Sequence, residues 1–132
     1  HAHTDSSMGH VRMPEVALSL VADHALVRRA VDAADDLPDG ATLRVGAVFT
    51  TDHFYIDRPD LHRRLAALGT WSVEMEAAGL YAVGAAESIA TLAVLTVTDH
   101  LLTDEHLSAH DREAGFQGAL KIAFAALELT AP

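Results

Sequence analysis

The sequence has no cysteine and few positively charged side chains. Without thiols, the chain can build neither a disulfide scaffold nor a thiolate metal site. Its 132 residues carry 19 acidic and 9 basic side chains, which gives a formal net charge of −10. Proteins that bind nucleic-acid phosphates or an anionic membrane surface need a basic face. We therefore expect neither a nucleic acid nor a membrane among the partners of this chain.

Long apolar runs are also scarce. The most apolar stretch, residues 77–95, is interrupted by Glu87, Ser88 and Thr91, whereas a membrane-spanning helix needs ~20 predominantly apolar residues. The first residues lack the charged and then apolar layout of a signal peptide, and residue 1 is a histidine, not a methionine. We expect a cytoplasmic protein, and a chain that is either processed or part of a longer one.

Helical and strand patterns alternate along the chain, which predicts an α/β fold with a sheet that is at least partly parallel. Half of the residues are apolar, which is enough for a hydrophobic core, and the length fits one domain or part of one. The first predicted elements are a helix capped by Asp23, a strand over 42–49, a helix between Pro59 and Gly69, a strand around 71–73 and a helix over 76–88.

Two further elements are predicted in the last third of the chain. Residues 91–98 are a continuous apolar run of strand length, which is typical of a strand buried on both faces. An amphipathic helix then begins after Ser108, which forms a capping pair with Asp111. The predicted buried face of this helix consists of Phe116, Leu120, Ala123, Phe124 and Leu127.

Glu74, Met75 and Glu76 lie where a strand leads into a helix, a position at which α/β proteins commonly bind ligands. A carboxylate there can accept hydrogen bonds from the vicinal hydroxyls of a sugar. Acidic residues are also common in the first turn of any helix, where they interact favourably with its dipole. Both interpretations stay open on the residues alone.

Asp99 follows the apolar run 91–98, at the strand end where ligand sites form. Burial there would raise the pKa of the Asp99 carboxyl and suit it to act as a general acid. Arg112, in the first turn of the last helix, needs a local partner because cations are unfavourable there. Asp99 is a candidate for that partner. A turn-capping aspartate and a surface arginine are the alternatives.

Other chemistry has weaker support. His106 and His110 are spaced to share a helix face, as zinc ligands sometimes are, but His106 precedes the helix cap and no acidic third ligand matches. We therefore expect no metal site. Phe54 lies in a loop after a strand, where it can stack on a planar ligand or anchor the loop in the core. No glycine-rich phosphate loop is present, because Gly46 is a lone glycine in a predicted strand.

Residues 73–81, with the sequence VEMEAAGLY, resemble the signature of the bacterial, hexameric purine nucleoside phosphorylases. Nucleosidases and uridine phosphorylases of the same superfamily share close versions of this signature. The presence of Asp99 and Arg112 at matching distances favours the purine phosphorylase branch. The other segments that resemble this family are 96–100, Asp111-Arg112, Phe54-Tyr55 and 4–6.

The resemblance implies a role for each matching residue. Glu76 would bind the ribose hydroxyls, with Met75 packed against the sugar and Glu74 nearby. Asp99 would donate a proton to the imidazole nitrogen of the departing purine, and Arg112 would orient Asp99.

Three more residues would complete the substrate site. Phe54 would pack against the purine, and Val73 would line the base pocket. Thr98 stands where the family more often has serine, and this change keeps a hydroxyl at the site.

The resemblance also implies a fold and an activity. The fold would be the C-terminal part of a three-layer phosphorylase/hydrolase-like domain, with a mixed, partly parallel central sheet flanked by helices. The activity would be reversible phosphorolysis of purine nucleosides, with inorganic phosphate as co-substrate, no other cofactor, and a homohexamer arranged as a trimer of dimers.

Length is the main departure from that family, whose chains are nearly twice as long. Residues 1–132 match only the C-terminal portion, and the phosphate-binding portion would precede them. We therefore expect the isolated chain to be inactive. The alternatives are a hydrolytic nucleosidase acting on methylthioadenosine-like or S-adenosylhomocysteine-like substrates, and a non-catalytic nucleoside-binding fragment.

Overall fold

Three parallel strands form one sheet in the order β1-β2-β3: β1 (Ala2–Thr4), β2 (Ala47–Thr50) and β3 (Thr70–Glu74). The structure is a computed structural model, and it describes residues 1–7, 14–37, 42–55, 58, 60–103 and 105–127. The chain divides into two units, one made of His1–Ala22 and Gly46–Ala93, the other of Asp23–Val45 and Val94–Pro132. The parallel pairing confirms the predicted α/β class.

Two helices complete the first unit, α2 (Leu61–Ala67) and α3 (Ala77–Glu87). Gly69 adopts φ 84°, a conformation that side chains with a Cβ disfavour, so it ends the α2 segment as predicted. Alanines on α3 bring this helix close to β1 and β2. One cluster of buried residues in this unit consists of Ala2, Leu20, Ala77, Ala78, Tyr81 and Ala82.

The second unit is built on a helix pair, α1 (His24–Asp32) and α4 (Ala109–Ala126). The Asp23 side chain accepts a hydrogen bond of 3.0 Å from the Leu26 N–H, which confirms the predicted cap of α1. A 3₁₀ turn, Ala33–Asp36, follows α1, and a short antiparallel pair, β4 (Asp99–His100) and β5 (Glu105–His106), precedes α4. Arg29 donates a hydrogen bond of 3.0 Å to the Ala126 carbonyl across the helix pair.

The predicted buried face of α4 is wrong. Gly118, Ile122 and Ala126 are buried, whereas Phe116, Phe124 and Leu127 are exposed. The helix has apolar residues on more than one face, so periodicity alone does not select the side that packs. Glycine and alanine let two helices approach closely, and α1 packs against α4 in this unit.

The predicted strand over 91–98 is also wrong, since these residues form neither helix nor strand. Their side chains are half-buried or exposed. An apolar run becomes a strand only where neighbouring strands pair with its backbone, and no pairing involves 91–98 among the described residues. For the same reason, the predicted strand 42–49 is reduced to Ala47–Thr50.

No described helix combines the length and the apolar character that a membrane crossing requires.

Tyr81 links α3 to the segment that follows it. Its ring is buried, and its hydroxyl accepts a hydrogen bond of 3.2 Å from the Ala93 N–H. Burial raises the pKa of Tyr81, the Ala93 hydrogen bond lowers it by less, and the charge of Glu74 adds to the increase.

We expect Tyr81→Phe to lower the free energy of unfolding by about 1 kcal/mol at pH 7, because the Ala93 N–H loses its acceptor. Above pH ~10, tyrosine ionises in the unfolded chain while folded Tyr81 keeps its proton, so the wild type loses stability as the pH rises. The phenylalanine variant lacks this loss, and the difference between the two proteins narrows. Urea unfolding of both proteins, followed by circular dichroism at pH 7 and above pH ~10, measures this difference in stability. The control is Tyr55→Phe, which changes an exposed tyrosine. A difference that widens at alkaline pH would contradict the expectation.

Candidate functional site

Thr4, Thr50 and Glu74, the last residues of the three parallel strands, lie side by side. Thr4 pairs with Thr50 in the strand register, and Thr50 pairs with Glu74. Because the strands are parallel, their C-terminal ends, which carry these three residues, lie at the same edge of the sheet. This is the edge at which α/β proteins bind ligands.

The Glu74 carboxylate lies at the centre of a hydrogen-bond network at this edge. One oxygen, Oε2, accepts hydrogen bonds from the N–H groups of Glu76 at 2.8 Å and Ala77 at 2.6 Å. The other oxygen, Oε1, accepts one from the Thr50 hydroxyl. The Thr50 oxygen in turn accepts a hydrogen bond of 3.0 Å from the Ala78 N–H. The network therefore supplies acceptors for N–H groups in the first turn of α3, which have no partner within the helix.

Glu76 is the N-cap residue of α3, but its own side chain makes no capping hydrogen bond and is exposed. Met75 is exposed beside it, and Val73 is half-buried within β3. The strand-to-helix junction predicted from the sequence is thus present. The Glu76 side chain is exposed, whereas that of Glu74 is half-buried.

Phe54 lies in the loop after β2, with 77% of its surface exposed. Its ring packs edge-to-face on Tyr55, with the two centroids 5.0 Å apart. The interpretation of Phe54 as a core anchor does not fit this exposure, whereas stacking on a planar ligand does.

Two threonines at the end of β2 were not singled out from the sequence. Thr50 and Thr51 are both almost fully buried. The Thr51 hydroxyl donates a hydrogen bond of 3.1 Å to Asp5, just beyond β1, and accepts one of 3.1 Å from the His53 N–H. The signal that could have found them is a pair of hydroxyls at the carboxyl end of an otherwise apolar strand.

A second group of polar side chains surrounds Asp99 in the other unit. Arg112 Nη2 and His106 Nδ1 lie 3.3 Å and 3.8 Å from the same oxygen, Asp99 Oδ1. The Thr98 hydroxyl donates a hydrogen bond of 2.5 Å to the other oxygen, Oδ2. Asp99 and His106 are also paired in the β4–β5 register. The contact between Asp99 and His106 had not been predicted.

Local backbone contacts position Arg112. Its Nε donates a hydrogen bond of 3.2 Å to the Leu107 carbonyl, and the Leu107 N–H donates one of 2.8 Å to the Thr98 carbonyl. One turn later on α4, a Cβ at Gly115 would lie 2.6 Å from Thr96 Cγ2. A side chain at position 115 would therefore require the Thr96 side chain to move.

The first turn of α4 is held by its cap. The Ser108 hydroxyl accepts a hydrogen bond of 3.2 Å from the Asp111 N–H and donates one of 2.7 Å to Asp111 Oδ2. The hydrogen bond from Ser108, followed by that from His110, lowers the pKa of Asp111. The predicted capping pair is therefore present, and it fixes the turn that carries Arg112.

The expectation of a buried Asp99 is wrong, because 45% of its side chain is exposed. The segment before it does not form the predicted buried strand, so Asp99 does not lie at the end of a buried strand. The described residues contain no cluster of three or more histidine, aspartate or glutamate side chains placed to hold a metal ion.

Comparisons with a family model and with curated proteins both point to phosphorylases. Residues 4–130 match the family described as the phosphorylase superfamily. The chain is 44% identical to the DeoD-type purine nucleoside phosphorylase of Hahella chejuensis over 125 residues, 95% of this chain and 52% of that protein. It is 39% identical to the Myxococcus xanthus protein of the same name over 122 residues, 92% of this chain and 50% of that protein. The chain thus spans about half the length of the curated relatives it matches.

We expect Ser108→Ala to lower the free energy of unfolding by about 1 kcal/mol at pH 7, because the first turn of α4 loses its cap. Ser108→Thr, which keeps a hydroxyl, should retain most of the stability. Asp111 contributes stability above the ordinary pKa of an aspartate, and this contribution is lost as the pH falls. The difference between Ser108→Ala and wild type should therefore shrink in acid. Urea unfolding at pH 7 and pH 3 measures both effects, and an equal difference at the two pH values would contradict the second.

Proposed function

The chain belongs to the phosphorylase superfamily, and from this membership we propose that it is part of a purine nucleoside phosphorylase. The reaction is the reversible phosphorolysis of a purine ribonucleoside or deoxyribonucleoside to the free base and the pentose 1-phosphate, which makes the enzyme a pentosyltransferase. The curated relatives named above carry this activity in their names. Phosphate is the co-substrate, and its binding residues lie outside this chain.

The ion pair between Asp99 and Arg112 is the observation that carries the proposal. The two residues are 13 positions apart, and Arg112 Nη2 lies 3.3 Å from Asp99 Oδ1. Exposed ion pairs stabilise a fold by only about 0–1 kcal/mol, so stability is a weak reason for such an arrangement. Orientation of an acid for proton transfer is a better one.

In the proposed mechanism, the bond between C1′ of the pentose and the purine nitrogen breaks, and its electron pair moves into the purine ring. Asp99 takes up a proton from solvent when the nucleoside binds and donates it to the imidazole nitrogen of the departing base, which prevents an anionic leaving group from forming. The carboxylate left behind pairs again with Arg112. A phosphate oxygen then forms the new bond to C1′. Arg112 holds Oδ1, so the proton is carried by Oδ2, the oxygen beside the Thr98 hydroxyl. A hydroxyl can both donate and accept, and it therefore suits either protonation state of Oδ2.

The remaining roles are those that the family resemblance implies. The exposed Glu76 carboxylate accepts hydrogen bonds from the ribose hydroxyls, and Met75 packs on the sugar. Phe54 stacks on the purine, which its exposure supports, and Val73 lines the base pocket. Glu74 lies beside the sugar site.

We further propose that the protein is cytoplasmic and assembles as a homohexamer, a trimer of dimers. Sedimentation velocity of the complete gene product tests the assembly, and a monomer or dimer at micromolar concentration would refute it.

We expect the complete gene product to cleave inosine or adenosine only when phosphate is present. Asp99→Ala should lower kcat by about 10²- to 10⁴-fold, because general acid catalysis typically contributes that much. Arg112→Ala should lower it by less, since the acid itself remains. The measurement is release of free purine with and without phosphate. Asp60→Ala, which changes an exposed aspartate paired with Arg64, is the matched control and should leave kcat unchanged.

Each alternative has a distinct outcome in the same assay. Turnover that is independent of phosphate would identify a hydrolytic nucleosidase. Nucleoside binding without turnover would identify a non-catalytic binding protein. An unchanged kcat in Asp99→Ala would refute the proposed mechanism even if phosphorolysis is observed.

A further inference from the structure

We propose that Thr50 and Glu74 are positioning residues that act on the substrate only through Glu76. This inference rests on the proposed function, because it assigns how the sugar-binding carboxylate is held in place. Neither residue is expected to touch the nucleoside.

The hydrogen bonds around Thr50 have a defined direction. Its hydroxyl oxygen accepts from the Ala78 N–H, so its proton is free to point at Glu74 Oε1. Thr50 has 3% of its surface exposed, so water cannot readily replace either partner. A buried hydroxyl with one donor and one acceptor in place is fully used by its neighbours.

Glu74 then serves as an acceptor at both of its oxygens. It accepts the Thr50 hydroxyl at Oε1 and the N–H groups of Glu76 and Ala77 at Oε2. Only a carboxylate accepts at both oxygens, because a side-chain amide would turn an N–H group toward one of these donors. With both oxygens engaged, Glu74 is poorly suited to bind sugar hydroxyls as well.

The result of this arrangement is a fixed main chain at Glu76. Its N–H is bound 2.8 Å from Glu74 Oε2, and the next N–H is bound by the same oxygen. The Glu76 side chain starts from that fixed point and extends into solvent. A side chain whose backbone is fixed loses less entropy when it binds a ligand, so anchoring the main chain favours sugar binding.

The test is a set of variants of the complete gene product, assayed for phosphorolysis of a purine ribonucleoside. Thr50→Val removes the hydroxyl at nearly constant volume, and Glu74→Gln removes one acceptor. We expect each to raise KM about tenfold, the effect of one lost hydrogen bond, and to change kcat less than about threefold. Thr50→Ser should restore the wild-type KM. The matched control is Glu87→Gln, an exposed glutamate at the far end of α3, which should leave KM unchanged.

The decisive comparison uses a Glu76→Ala background. If Thr50 and Glu74 act only through Glu76, adding Thr50→Val or Glu74→Gln to that background should change KM less than about twofold, since effects on one path are not additive. A further tenfold increase on adding Glu74→Gln would mean that Glu74 contacts the substrate itself, and would overturn the inference.

Hydrogen exchange gives a readout that does not depend on activity. Glu74→Gln should speed amide exchange at Glu76 and Ala77 about tenfold, and Thr50→Val should speed exchange at Ala78. Unchanged exchange at these amides would overturn the inference. If the wild type shows no phosphorolysis but the variants show these changes in exchange, the proposed function is refuted. The hydrogen bonds that hold the main chain at Glu76 would still be confirmed.

Discussion

The carboxylate of Glu74 accepts hydrogen bonds from a strand hydroxyl and from two main-chain N–H groups at the start of α3, and it joins β2, β3 and α3 at one point. A helix that begins directly after a strand exposes its first N–H groups, and an acceptor must be found for them. Glu74 provides one with a full negative charge, which the helix dipole also favours. The position of the first turn of α3 relative to β2 and β3 depends on this contact.

The group around Asp99 is constructed differently. All of its members lie between Thr98 and Arg112, and the β4–β5 pair and the Ser108 cap bring them together without a buried core. The ion pair between Asp99 and Arg112 is half exposed, so it adds little to stability. Its geometry depends on backbone contacts, chiefly the hydrogen bond from Arg112 to the Leu107 carbonyl. Local backbone contacts, rather than burial, therefore fix the arrangement.

Local signals in the sequence were enough for much of the fold. The N-caps Asp23 and Ser108 were identified because a short polar side chain directly before a helical apolar pattern usually accepts a hydrogen bond from the first turn. The two glutamates were placed by the change from a strand pattern to a helical one. The partnership of Asp99 with Arg112 was inferred because a cation is unfavourable in the first turn of a helix. The catalytic roles of these residues stay predictions. The predictions of which face of α4 is buried and of a buried strand over 91–98 were wrong. In both segments the apolar pattern is compatible with more than one packing arrangement.

The sequence by itself determined which segments are helical, where two of them begin, and that Glu74 and Glu76 lie at a strand-to-helix junction, because these features depend on side chains within a few positions of one another. Only the tertiary structure decided which face of α4 is buried, that Asp99 is exposed, and that Thr50 supports Glu74. These features depend on residues far apart in the chain: the Thr50–Glu74 contact joins positions 24 residues apart. Such contacts form only when strand pairing and helix packing bring the two segments together.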